Sequence, residues 1–241
     1  MRVQLFGTCL VDALFPDVGE ATVKLLRHFG VEVSYPPGQT CCGQPAFNAG
    51  YSDTARQAAR HFISVFEGST DPIVTPSGSC AAMVRHHYPH LFADDPALQA
   101  RARAVGERVF ELSQFLVGQL QAHEQSFRGQ GKITYHSSCH LTRELGVRQE
   151  PQQLIGALRG AEFIPLPDAT RCCGFGGMFM AKLPEVSCAI TDEKAAAIIA
   201  TGADTLTGCD SGCLMTIADG LKQRGSGIRV KHLAQLLAEG L

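Results

Sequence analysis

The 241-residue chain is written twice, and that duplication limits its possible folds more than any single segment does. RVQLFGTC, ending at Cys9, is echoed by KITYHSSC, ending at Cys139. TCCGQPAFNAG, with Cys41 and Cys42, is echoed by RCCGFGGMFMA, with Cys172 and Cys173, and IVTPSGSC, ending at Cys80, by TLTGCDSGC, ending at Cys213. These pairs are offset by 130, 131 and 133 residues. A fourth pair, VFELSQFLVGQL (109–120) and RVKHLAQLLAEGL (229–241), is offset by 121, so the first copy carries about a dozen extra residues after Cys80.

Each copy has the same grammar. A β-rich run, Val3–Phe6 or Ile133–Tyr135, stops at the first cysteine. A helix follows, Glu20–Phe29 closed by Gly30 or Gln152–Arg159 closed by Gly160, since glycine just past the last periodic residue is a helix stop. A second run, Val31–Val33 or Phe163–Leu166, leads to Cys-Cys-Gly. A longer helix spans Ser52–Glu67 or Glu185–Thr201, and a third run, Ile73–Thr75 or Thr205–Thr207, leads to the last cysteine. Strands alternating with helices predict α/β architecture: two pseudo-symmetric Rossmann-like lobes, each with a short parallel sheet. Asp94–Phe127 reads as mostly helical, and the lobe boundary is expected near residue 130, giving cysteine-rich domains over 1–130 and 131–241.

A chain of this length buries enough apolar surface to fold without disulfide staples, which become common below roughly 80 residues. Asp12 interrupts the N-terminal apolar run and no small-residue cleavage site follows it, so no signal peptide is expected. The longest uncharged runs, such as Pro72–Val84, fall short of the roughly 20 apolar residues of a membrane span. With a net charge of −2 there is no basic patch from which to argue a nucleic-acid or membrane-surface partner. A cytoplasmic location is expected, and there ten cysteines point to metal or redox chemistry before structural disulfides.

Eight of the ten fall into matching sets. The spacing is Cys, 31 residues, Cys-Cys-Gly, 37 residues to Cys80 in the first half, with gaps of 32 and 39 in the second. Core packing needs apolar volume and gives sulfur no reason to recur at these positions. Cys9, Cys80, Cys139 and Cys213 each follow a predicted strand, the edge where open α/β sheets bind ligands. Gly43 and Gly174 permit the tight backbone that turns two adjacent cysteines inward. Four thiolates from three loops suit an iron–sulfur cluster or zinc; the absence of close C-x-x-C pairs departs from structural zinc sites and favours a cluster.

The remaining candidates are weaker. Cys209, four residues before Cys213, is an alternative ligand without a counterpart in the first half, and Cys188 reads as a buried apolar residue within a helix. His136 and His140 flank Cys139 as candidate ligands or hydrogen-bond donors to sulfur. His86, His87 and His90 read as a solvated face with a relay or partner role open. Gly176 and Gly177 lack the spacing and acidic partner of a dinucleotide loop. No Ser-His-Asp order, Walker motif or H-E-x-x-H supports a hydrolase or an ATPase.

On the strings CCGQPAFNAGY, PSGSC and CCGFGGMF the chain resembles the cysteine-rich domain named for its Cys-Cys-Gly motif, which occurs twice in one of the subunits of heterodisulfide reductase and in the glycolate oxidase iron–sulfur subunit. As a two-copy chain with nothing fused to it, it looks most like the lactate utilization protein A family. The resemblance implies an iron–sulfur electron-transfer subunit of a cytoplasmic L-lactate oxidation system, acting with lactate utilization proteins B and C. It implies that Cys9, Cys41, Cys42 and Cys80 hold one cluster and Cys139, Cys172, Cys173 and Cys213 a second, each a 4Fe-4S cluster, with zinc as the alternative. Where the motif is fullest it ends in C-x-x-C; here Ser77 and Asp210 stand at the penultimate ligand position. That departure counts against two other readings implied by the resemblance, five-cysteine non-cubane clusters and thiol-disulfide reductase activity.

Overall fold

The computed structural model describes residues 1–241. The first half runs β1 (Arg2–Leu5), α1 (Cys9–Leu14), α2 (Pro16–His28), β2 (Glu32–Ser34), α3 (Gln44–Asn48), α4 (Ser52–Phe66), β3 (Ile73–Thr75), α5 (Gly78–Ala82), a π-helical turn over Met83–His87, α6 (Tyr88–Leu91), α7 (Pro96–Gly106), β4 (Val109–Glu111) and α8 (Leu112–Gly118). The second runs β5 (Phe127–His136), a π-helical turn over His140–Glu144, α9 (Glu150–Gly156), β6 (Leu158–Phe163), α10 (Met178–Lys182), α11 (Pro184–Ala200), β7 (Thr205–Gly208), α12 (Ser211–Gln223), β8 (Arg229–His232) and α13 (Leu233–Glu239). Both sheets are wholly parallel, with orders β2-β1-β3-β4 and β6-β5-β7-β8. The central strands β3 and β7 are buried at every residue, as parallel strands covered on both faces must be.

Three segments differ from their predicted form. α2 begins at Pro16, where a first-turn proline lacks only an N–H that would be unpaired anyway. β4 lies inside the segment read as helical, and β6 lies across the predicted end of the preceding helix instead of at Phe163–Leu166. Both are edge strands, and β6 exposes Arg159 and Glu162, so pairing, not apolar pattern, makes it a strand: Phe127 pairs with Leu158 and Ile133 with Phe163. That pairing also starts β5 at Phe127. The extra residues of the first copy are α7 and its approach: α5, the π-turn and α6 together match α12, which then runs directly towards β8.

The lobes share a core. α2 packs on α13 and α9 on α8, so the pseudo-twofold exchanges one cross-lobe helix pair for the other. Leu25, Leu26, Phe115 and Leu116 join Leu154, Ile155, Leu237 and Ala238 in one buried cluster. Each such Leu contributes about 1.5–3 kcal/mol by leaving water, which holds the two sheets in one fixed orientation.

Candidate metal centre

β1 leads to β2 on one side and β3 stands on the other, so the switch point of the first sheet lies between β1 and β3, and that of the second between β5 and β7. Cys9 opens α1 at the end of β1, and Cys80 lies in α5 just after β3; Cys139 follows β5, and Cys213 lies in α12 after β7. The Cys-Cys-Gly turns follow the edge strands β2 and β6. Gly43 (φ 82°) and Gly174 (φ 92°) hold a left-handed conformation, and a Cβ on Gly174 would meet the Ser187 carbonyl at 2.6 Å.

All eight cysteines of the two sets line a single cavity of about 170 Å³ between the lobes. Each set has the same depth profile. Cys42 and Cys80, and likewise Cys173 and Cys213, are buried, while Cys9, Cys41, Cys139 and Cys172 are half-buried or exposed at the mouth. None of the ten cysteines is disulfide-bonded; Cys42 and Cys80 Sγ atoms lie 3.4 Å apart. The Gly43 N–H donates to Cys41 Sγ and the Gly174 N–H to Cys172 Sγ, both at 3.4 Å, the same bond made twice.

Metal ligation requires thiolate. Hydrogen bonds from the Cys42 and Cys9 thiols, with the Gly43 N–H, pull Cys41 down to about 3, whereas Cys9 is pushed up by the bond it donates to Cys41 and by burial. In the second set Cys172 is pushed up, by its bond to Cys173 and then by burial. The donor set is soft and sulfur-only at the cavity wall, which fits an iron–sulfur cluster or zinc and does not fit magnesium or calcium.

The positions where the fullest motif carries another cysteine are structural. Ser77 Oγ accepts from the Cys80 N–H at 3.3 Å and caps α5. Asp210 makes no bond to its own helix; Oδ2 accepts from the Ser79 N–H across the lobe boundary at 2.8 Å. At Gly78 a Cβ would lie 2.9 Å from Leu141 Cβ, so the lobes meet there almost backbone to backbone.

Cys209 lies in the shared core, away from the cavity, with Sγ 3.9 Å from Tyr135 Oη. Cys188, expected to be buried, is exposed: α11 buries the polar Ser187, Thr191 and Lys194 and exposes Val186, Cys188 and Ile199, so its apolar pattern does not mark its inside. His140 Nδ1 is 3.6 Å from Cys139 Sγ, and Glu144 joins His140 (3.6 Å) to His87 (2.8 Å). His86 and His90 are exposed, whereas His87 is tied into this cross-lobe link. Gly176 and Gly177 line the cysteine cavity. His136 is buried with neither ring nitrogen hydrogen-bonded, and its ring lies within 4.8 Å of both Cys173 and Cys213 sulfurs. Glu144 and Lys194 are neighbours of the site that sequence reasoning alone does not single out. For Lys194 the repeat carries a signal: it stands where the first half has Phe62.

Residues 3–85 and 133–218 each match the family described as "Cysteine-rich domain" (CCG). Lactate utilization protein A of an Exiguobacterium species is 48% identical over 241 residues, covering 100% of this chain and 98% of the relative. The protein of the same name from a Geobacillus species is 46% identical over 237 residues, 98% of this chain and 99% of the relative. A hypothetical protein from Helicobacter pylori shares the fold, with TM-score 0.70 at 11% identity over 99% of this chain; the chain spans 48% of that protein's length. No helix here is long and apolar enough to cross a membrane.

Proposed function

Since the chain belongs to the lactate utilization protein A family, with two cysteine-rich domain copies, we propose that it is the iron–sulfur electron-transfer subunit of an L-lactate oxidation system. The observation that carries this reading is the convergence of two equivalent four-cysteine sets on one cavity. Cys9, Cys41, Cys42 and Cys80 hold one 4Fe-4S cluster and Cys139, Cys172, Cys173 and Cys213 the second. A cluster bound there supplies one-electron exchange. The residues around the cysteines do the rest. The Gly43 and Gly174 N–H groups stabilise thiolate at Cys41 and Cys172, and burial of Cys42, Cys80, Cys173 and Cys213 keeps water from the deep side of the site. The half-exposed mouth is the side on which a redox partner comes within reach, the B and C proteins of lactate utilization being the partners in this proposal. No residue here is assigned to lactate itself, and the dehydrogenase activity belongs to the assembly, which acts in the cytoplasm.

A thiol-disulfide reductase built on five-cysteine clusters is disfavoured because Ser77 and Asp210 are engaged as helix caps. The test is iron, sulfide and zinc analysis of anaerobically purified chain, with EPR. Iron and sulfide in equal amounts, filling both lobes, are expected. One zinc per lobe with no visible absorbance would overturn the cluster reading in favour of a zinc-binding structural role.

A further inference from the structure

Behind the two cysteine sets the lobes are built from opposite materials. Through the repeat Phe6 corresponds to His136, and on the helices α4 and α11 the buried positions Ala55, Ala59, Phe62 and Phe66 correspond to Ser187, Thr191, Lys194 and Ile198. In the first lobe the rings of Phe6, Phe62 and Phe66 pack together, with Phe6 4.9 Å from Phe62 and 5.9 Å from Phe66. In the second, the imidazole and ammonium of His136 and Lys194 occupy the places of Phe6 and Phe62, and both residues are at least 98% buried. Lys194 Nζ is held by the Asp168 and Ala169 carbonyls at 3.0 and 3.3 Å. Neither nitrogen of His136 has a well-formed hydrogen bond; the acceptors beside its ring are the Ala169 carbonyl, which already takes Lys194 Nζ and the Ser137 N–H, and the Cys173 and Cys213 sulfurs.

A buried imidazole with no well-formed hydrogen bond and only a shared carbonyl beside it is costly, unless the group held by those sulfurs is its partner. We propose that His136 is a positioning residue that donates its N–H to the sulfur edge at Cys173 and Cys213, and that with Lys194 it makes the second-lobe centre the more positive in potential of the two. The proposal rests on the iron–sulfur reading. Hydrogen bonds to sulfur and a nearby positive charge both favour the reduced, more negative form of a cluster, whereas the aromatic wall of the first lobe offers neither. The order of the two potentials is therefore written into the repeat as a polar-for-aromatic exchange.

The test is an EPR-monitored redox titration of the full chain after anaerobic reconstitution. Two midpoint potentials are expected, the more positive lost in Cys173→Ser and kept in Cys42→Ser. His136→Phe, which installs the first lobe's residue, should shift that potential down towards the lower one with the iron count unchanged; His136→Gln, which keeps an N–H donor, should retain most of it. Lys194→Met should shift it the same way and stands in if His136→Phe does not fold. Equal potentials, loss of the more positive one in Cys42→Ser, or no shift in either variant would overturn the proposal. A halved iron count in His136→Phe would also overturn it, by making His136 a ligand. Absence of iron and sulfide from the wild-type chain would instead bring down the cluster reading itself, which metal analysis shows before any variant is made.

Discussion

The two lobes share a backbone plan and a cysteine pattern but not an interior. At the mouth they are nearly interchangeable, down to the matching glycine N–H bonds to Cys41 and Cys172. One layer behind, they diverge. The carbonyl of Cys42 is held by Tyr88 Oη at 2.9 Å, from the helix that follows the first copy's π-turn, whereas that of Cys173 is held by Thr191 Oγ1 at 2.9 Å from α11. The fold thus preserves the geometry of ligation while leaving each site free to set its own surroundings. If the sites are independent despite their common cavity, as the proposed assignment of one set of four to each cluster requires, Cys42→Ser and Cys173→Ser should each remove about half of the bound iron. Complete loss from either single change would show one group shared between the lobes.

The cysteine sets, their places after strands and the duplicated α/β plan were legible because ligand sulfur and central strands leave strong local signals. The edges were not. β4 is only three residues long and β6 is half exposed, so neither carries a strand pattern of its own and each depends on pairing with its neighbour. The single cavity was out of reach for a different reason: lobe orientation is fixed by the α2–α13 and α8–α9 contacts, which join residues more than 200 positions apart in the first case. His136 was visible as a neighbour of Cys139, but Lys194 becomes conspicuous only when the copies are compared position by position.

The interiors can be exchanged to break the comparison. Phe62→Lys would bury an ammonium among Phe6, Phe66 and Tyr88 with no carbonyl pair waiting for it, a change expected to cost about 3–5 kcal/mol in urea unfolding. Lys194→Met removes two hydrogen bonds to carbonyls and keeps the stem volume, so about 1–3 kcal/mol is expected. Equal costs would mean that the polar interior is incidental.

A pH profile sharpens the contrast, because the helices that close the two lobes are capped by groups of opposite acid-base type. Glu111 caps α8 and, through the repeat, His232 caps α13. Burial raises Glu111 from 4.5 to about 7, so the neutral acid is favoured in the fold and its contribution to stability falls as pH rises from 4.5 to 7. Burial lowers His232 from 6.5 to about 4, so the neutral imidazole is favoured and its contribution falls as pH drops from 6.5 to 4. Each limb amounts to roughly 3 kcal/mol when fully titrated. The two slopes oppose each other where the windows overlap, so each is read by removing one group at a time. Relative to wild type, the denaturant midpoint of Glu111→Gln should improve as pH rises from 4.5 to 7, and that of His232→Gln as pH drops from 6.5 to 4. A pH-independent offset in either variant would mean that the cap does not titrate with folding.

The smallest effect concerns the seam itself. Ser77 caps its own helix, while Asp210, its counterpart, reaches across to the Ser79 N–H and lies 3.5 Å from Ser77 Oγ. Loss of a helix cap costs about 1 kcal/mol, so Ser77→Ala and Asp210→Ala should each destabilise by about that much. Because both side chains serve the same helix end from different lobes, the double variant should cost less than the sum, with a coupling of at least about 0.5 kcal/mol in a double-mutant cycle on the metal-free chain. Strict additivity would mean that the two caps act separately and that the lobes are held by the α2–α13 and α8–α9 packing alone. Coupling would make this seam a point where an aspartate in place of the motif's cysteine ties one lobe's ligand-bearing helix to the other.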